Sequence, residues 1–305
     1  MKTQIRLRIY QELSKSGIVA LVLISVLAGY LTGHPFEESF SIARLIVTLV
    51  AVLLLASGSS AMNQIQEIET DRAMPRTAKR PLPSGRISFW EAMIFSLGSM
   101  AAGAFLLFRL DVALFWQGLA AILSYNVLYT MWWKRRFPMA AIPGAIPGAL
   151  PILMGFTAAS RNPWHPGGWF LFLILFFWQM PHFWVLAIRY AEDYRKGGIP
   201  TLPVAHGDRI TLKQIMAWCL AYVGVAFSGP LFLGTGKIYL VVCAATSLML
   251  VYELVKLFQN SHSVSDPKSK TWLRFFLWVN FSLIFYLAAA VVDLWSVYLI
   301  PLVTQ

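Results

Sequence analysis

Charge is what this chain most lacks. Only 13% of its 305 residues are Asp, Glu, Lys or Arg, about half the share of a soluble domain. The shortage falls hardest on acids, 14 against 25 basic residues. Cysteine is nearly absent. Cys219 and Cys243 sit in apolar segments with no CxxC spacing, so they read as small core residues and not as a disulfide or a metal site. Regular apolar–polar alternation is missing too, which excludes a membrane β-barrel. In its place stand continuous apolar runs of about 20 residues, the length that crosses a bilayer as a helix. The fold class that follows is all-α, a polytopic membrane protein.

Nine spans are predicted: Ile18–Leu31, Ile42–Met62, Phe89–Phe108, Val112–Trp133, Met139–Ala159, Trp169–Ile188, Ile215–Leu233, Ile238–Phe258 and Trp272–Val292. Asp293 leaves the end of the ninth open, with Leu299 as a later limit. The fifth carries Pro143, Pro147 and Pro151 and is expected to be kinked or locally unwound. A basic, partly amphipathic segment precedes the first span. It shows no small-residue cleavage site, so that span is taken as retained.

The formal net charge of +11 would suggest a nucleic-acid partner in a soluble chain. Here its distribution speaks for membrane topology. One face keeps only Arg44, Arg109, Arg161 and Lys237. All other Lys and Arg fall in the N-terminal segment and the loops after spans two, four, six and eight. The positive-inside rule then puts the N-terminus in the cytoplasm and the C-terminus outside, with no role for nucleic acid. No Arg- and Ser-rich arm precedes the first span, and a bacterial inner membrane is expected.

The few acids are concentrated. Asn63, Glu67 and Asp71 are spaced i, i+4, i+8, one face of a helix if span two continues. Glu69 lies among them, and Arg72, Arg76, Lys79, Arg80 and Arg86 follow. Oxygen ligands beside a basic run suit a diphosphate that arrives with Mg²⁺. The loop after span six is similar in layout, with Glu192, Asp193, Tyr194, Arg195 and Lys196, then Leu202-Pro203 and Gly207-Asp208-Arg209. Each loop leads to a capping-box pattern, Ser88-x-x-Glu91 and Thr211-x-x-Gln214. The parallel defines a weak internal repeat, roughly 17–135 and 139–260, plus the ninth span, within a single domain covering 1–305.

Asn63, Glu67, Asp71, Glu192 and Asp193 are the candidate metal ligands. Arg72, Arg76, Lys79, Arg80, Arg195 and Lys196 are candidates for the diphosphate, in competition with lipid headgroups. Trp178, Phe183, Trp184, Tyr125 and Tyr129 offer π faces to a carbocation or, equally, to lipid. His182, inside span six, is open between ligating iron, acting as a base and bonding a neighbouring helix.

Asn63 to Gly85, NxxxExxxD followed by MxRTxxRPLxxG, resembles the first motif of the UbiA-type intramembrane prenyltransferases. Gln179 to Val204, QMPHFWVLAIRYAEDYRKGGIPTLPV, and Tyr125 to Arg136, YNVLYTMWWKRR, resemble segments of their haem-farnesylating branch. Glu67 stands where many relatives carry Asp, and adjacent Glu192-Asp193 departs from the spaced DxxxD of the aromatic-acceptor members. The resemblance implies nine helices around a central cavity. It further implies farnesyl transfer from farnesyl diphosphate, with Mg²⁺, to the 2-vinyl group of haem b, adding water and giving haem O. On this view Asn63, Glu67, Asp71 and Asp193 are catalytic. Arg76, Lys79 and Arg80 meet the diphosphate, Lys134 and Tyr194 belong to the matching segments, and His182 contacts haem. A haem A synthase or a terminal oxidase assembly would be a partner for the product. The alternatives are a prenyltransferase of the same fold acting on an aromatic acid or quinone precursor, a membrane transporter, and a structural membrane subunit.

Overall fold

The computed structural model describes residues 2–260, 264, 266 and 269–303. Lys268, counted above with the cytoplasmic loops, lies outside them. A short helix α1 (Lys2–Leu13) precedes α2 (Ser16–Thr32) and meets it at a 62° bend. Then come α3 (Ile42–Gln66), the six-residue α4 (Ile68–Ala73), α5 (Phe89–Leu110) and α6 (Val112–Ile122). A π-helical stretch, Leu123–Trp133, carries α6 into α7 (Lys134–Arg136). The second half holds α8 (Ala141–Ser160), α9 (Pro166–Arg189), the six-residue α10 (Ala191–Lys196), α11 (Leu202–Phe227), α12 (Gly229–Phe232), α13 (Lys237–Gln259) and α14 (Lys270–Val303). Among the described residues eight helices are long and apolar enough to span a bilayer, and the bent α1–α2 pair makes a ninth. The chain is a multi-pass membrane protein.

Span five, α8, lies deepest. It packs against α2, α9, α6, α3 and the π segment, and it runs as one unbroken helix with Pro147 and Pro151 inside it. The predicted unwinding does not occur. The prolines recur every four residues, so the missing N–H donors fall along one side while the rest of the ladder closes the helix. Its contact with α2 is backbone-close. A Cβ added at Gly155 would stand 2.1 Å from the Val26 carbonyl oxygen, and one at Gly29 would stand 2.1 Å from that of Ile152. Small residues at reciprocal positions draw two helices together where no hydrophobic driving force separates helix from lipid.

Two predicted boundaries move. Span seven starts at Leu202, and its one non-helical residue is Gly207 (φ 77°, ψ 169°). The helix resumes there, so Thr211 is not a cap; its hydroxyl donates to the Gly207 carbonyl at 2.9 Å. Ser88 does cap α5, accepting from the Glu91 amide at 3.1 Å. Span nine passes through Asp293 to Val303. The buried Asp293 carboxylate accepts from the backbone amides of Gly236, Ile238 and Tyr239. It caps α13 from a neighbouring span, which explains an acid so far along an apolar helix. Cys219 and Cys243 are buried free thiols.

Spans two and six end alike. Each breaks at one residue of similar geometry, Glu67 (φ −108°, ψ 12°) and Tyr190 (φ −109°, ψ 23°), and each continues as a six-residue helix.

Candidate active site

The acidic row survives the break in span two. The Glu67 amide donates to the Asn63 carbonyl (3.1 Å), and the Asp71 amide donates to that of Glu67 (2.7 Å). Four-residue spacing therefore holds across the change of direction, and Asn63, Glu67 and Asp71 are 2%, 4% and 0% exposed. Two buried carboxylates demand partners, and each has one. Lys134 Nζ donates to Glu67 Oε1 at 2.5 Å. Arg80 Nη1 donates to both Asp71 oxygens, at 2.9 and 2.7 Å. The Thr77 hydroxyl ties the intervening turn to the Asp71 carbonyl at 3.0 Å. Burial alone would lift the Glu67 carboxyl. The charge and hydrogen bond of Lys134 outweigh it and hold the group below the ordinary value.

The π helix sets the opposite wall. An α-helix advances about 100° per residue, so nine residues would place Lys134 on the face opposite Tyr125. The wider π turn, with its i to i+5 bonds, takes more residues per turn and returns them to one side. Tyr125 and Tyr129 stack there with ring centroids 6.1 Å apart. Thr130, fully buried, accepts from Asn63 Nδ2 at 3.2 Å. The same wall bounds a narrow pocket of about 10 Å³ lined by Tyr129, Lys134, Phe183 and Tyr194, room for a single water.

The loop after span six reaches this site at one point. Arg76 Nε lies 3.8 Å from Asp193 Oδ2, and its guanidinium stacks 5.0 Å over the Tyr190 ring. Beside them Gly197 lets the Met74 side chain approach to where a Cβ would be 3.0 Å away. Burial raises the Tyr194 hydroxyl, against the opposing pull of Arg76. Other charged residues of the two loops face outward. Glu192 is 76% exposed and pairs with Arg195. Arg72 pairs with Glu69 at the surface, and Lys79 and Lys196 are exposed. These five candidates, Glu192, Arg195, Arg72, Lys79 and Lys196, are not brought to the acidic row.

His182 turns to span nine. Its ring lies on Trp178 (4.7 Å) and Phe276 (5.3 Å). Its Nδ1 is buried and has no partner among the described residues. Trp178 donates to the Val279 carbonyl, and Trp184 is wholly buried in the core.

One site residue escaped the reading of the sequence. Lys15, at the α1–α2 bend, donates from Nζ to Asn63 Oδ1 at 2.5 Å and to the Tyr125 hydroxyl at 3.4 Å. A lone Lys just before an apolar run gives no signal beyond membrane orientation. Among the described residues no three His, Cys, Asp or Glu side chains converge on a ready-made metal cage. That donor set fits Mg²⁺, which takes one or two carboxylates and completes its octahedron with water and substrate phosphate.

A multi-span bundle with buried carboxylates matched to cations at one end is the architecture of an intramembrane enzyme that handles diphosphates. The chain belongs to the UbiA prenyltransferase family, which it matches over residues 22–280. It is 42% identical to the protoheme IX farnesyltransferase of Bdellovibrio bacteriovorus over 290 residues, 95% of this chain and 97% of that protein. In fold it resembles a structure solved for the biosynthesis of digeranylgeranylglyceryl phosphate synthase (TM-score 0.75, 22% identity, 94% of this chain and 98% of that one). A UbiA homologue from Archaeoglobus fulgidus bound to GPP and Mg²⁺ shares the fold at TM-score 0.60 and 18% identity, over 92% and 99% of the two chains.

Proposed function

We propose that this chain transfers a farnesyl group from farnesyl diphosphate to the 2-vinyl group of haem b, with addition of water, giving haem O. The extended similarity to a protoheme IX farnesyltransferase supports the acceptor and donor. The observation that carries the site is the buried row Asn63, Glu67 and Asp71 with its matched cations. Asn63, Glu67, Asp71 and Asp193 would hold Mg²⁺, which when bound supplies positive charge to the leaving diphosphate. Arg80, Lys134 and Arg76 are free to turn to the phosphate oxygens once their carboxylates are engaged elsewhere. The C1–O bond of the donor breaks with its electron pair on the diphosphate. The terminal vinyl carbon bonds to C1, and water adds at the inner vinyl carbon and loses a proton to solvent. Tyr125, Tyr129, Tyr194 and Phe183 present π faces and exclude stray water while the allylic cation exists.

The matched ends of spans two and six support a single domain of two related halves, roughly 17–135 and 139–260, plus span nine. The Lys and Arg bias supports a cell inner membrane, with the N-terminus cytoplasmic and the C-terminus periplasmic.

The test is mass spectrometry of haem from a host lacking its own haem O synthase, with and without this chain. A species heavier than haem b by a farnesyl and a hydroxyl group, absent with Asp71→Ala at equal membrane insertion, is expected. Inserted protein that yields no new haem, or yields prenylated phenols, overturns the acceptor.

A further inference from the structure

We propose that Lys15 is a diphosphate-binding residue of this site, delivered to it by the bend between α1 and α2. The inference rests on the reading of the site as one for a prenyl diphosphate.

Each of the acidic candidates at the site has its cation: Glu67 has Lys134, Asp71 has Arg80 and Asp193 has Arg76. Lys15 differs. Both of its hydrogen-bond partners, the Asn63 carboxamide and the Tyr125 hydroxyl, are neutral. An ammonium whose direct hydrogen-bond partners are both neutral is committed to no single carboxylate, and its charge is available to an anion that enters the site. Its partners belong to the two walls of the site, the acidic row and the π helix.

The backbone is built to put it there. Lys15 has φ 53° and ψ 49°, the left-handed region that disfavours any residue with a Cβ. Strain of this kind persists only where surrounding structure enforces it. Here the enforcement is visible. Gln64, the neighbour of Asn63, donates from Nε2 to the Glu12 and Leu13 carbonyls at 2.9 and 2.8 Å. Arg86 pairs with Glu12 at 2.5 Å, and the Tyr10 hydroxyl donates to Glu91 at 2.7 Å. Leu13 is fully buried against the end of span two. The bend is thus registered on α3 one residue from the acidic row. On its outer side an open groove of about 430 Å³ is bounded by Arg8, Glu12, Lys15 and Gly17, so the same residue faces both the site and the surface.

The backbone conformation makes a clean experiment. Gly and Asn both suit the left-handed region. Lys15→Gly and Lys15→Asn therefore remove the ammonium without strain, and Lys15→Arg keeps a cation. The probe is farnesyl thiodiphosphate, a slow-ionising donor analogue, with Mg²⁺, titrated into detergent-solubilised full-length protein. Expected is at least a tenfold loss of analogue affinity in the Gly and Asn variants, with a ligand-free thermal midpoint equal to or above wild type, and partial recovery in the Arg variant. Affinity within twofold of wild type in the Gly and Asn variants, whatever their midpoint, assigns Lys15 a purely structural role and overturns the inference. Wild-type protein that does not bind the analogue overturns the diphosphate reading itself, and this inference with it.

Discussion

Lys134 and Glu67, sixty-seven positions apart on spans four and two, meet at 2.5 Å, with Glu67 4% exposed and Lys134 17%. The pair is long-range, yet it reproduces what Arg80 does for Asp71 within one loop. In both cases a side-chain cation holds the carboxylate oxygens. Loading with metal and diphosphate on this reading requires these carboxylates and cations to exchange partners. The pairing spares the two buried carboxylates the full cost of an unpaired buried charge.

A double-mutant cycle on Glu67 and Lys134 tests the pairing. Lys134→Met strands a buried carboxylate and is expected to cost about 3–5 kcal/mol. Glu67→Gln leaves a cation that retains some solvent and costs less. The double variant is expected to recover about 1–3 kcal/mol over the sum of the single ones. Unfolding in a mixed-detergent titration measures all four corners, and additivity would show that the contact carries no coupling.

The same carboxylate gives a signed pH dependence. Its folded pKa is depressed, so its contribution is full above the unfolded value near 4.5 and is lost as pH falls through the lower folded value. Wild type is expected to exceed Glu67→Gln in thermal midpoint at pH 7, and the gap is expected to close as pH falls below about 4.5. A gap unchanged at pH 3 would mean that folding does not depress the Glu67 pKa.

Much of this was legible in the sequence, for a physical reason. Apolar runs and the distribution of Lys and Arg report on the bilayer, which acts locally, so spans such as Ile42–Gln66 begin where they were expected. The row Asn63, Glu67, Asp71 was legible as a spacing of four. What stayed hidden depends on contacts between distant segments. Asp293 looked like the end of a span because its role lies on the N-terminus of α13. Lys15 looked like a topology signal because its partner is 48 residues away. Nothing in LSYNVLYTMWW announces a π helix, yet that register is what turns Lys134 to Glu67. Glu192 and Asp193 were both candidate ligands in sequence, with Asp193 preferred, and the helical turn of α10 sends Glu192 outward and Asp193 to Arg76.

The α2–α8 crossing predicts a sharp contrast between two glycines. At Gly155 an added methyl meets the Val26 carbonyl at 2.1 Å, and backbone cannot rotate aside as a side chain would. Gly155→Ala is expected to destabilise by about 1–3 kcal/mol or more and to lower the thermal midpoint. At Gly224, within α11, nothing lies within 4 Å, and Gly224→Ala is expected to be neutral or mildly stabilising. Equal midpoints for the two variants would argue against so close a crossing.

His182 offers a test of the acceptor side. Its ring packs against Trp178 of its own span and Phe276 of span nine, while Phe183, the next residue, lines the pocket beside Lys134 and Tyr194. A buried imidazole nitrogen without a partner costs about 1–3 kcal/mol and is retained where a ligand satisfies it. If that ligand belongs to the acceptor, His182→Ala should leave affinity for the diphosphate analogue within twofold of wild type. It should raise the KM for haem b and shift the Soret band of protein-bound haem, because an imidazole contact is lost. Should Lys134→Met do the reverse, weakening the analogue and sparing the Soret band, the two halves of the reaction occupy different walls. A His182→Ala protein with unchanged Soret band and haem KM would place the imidazole in helix packing alone, against Trp178 and Phe276.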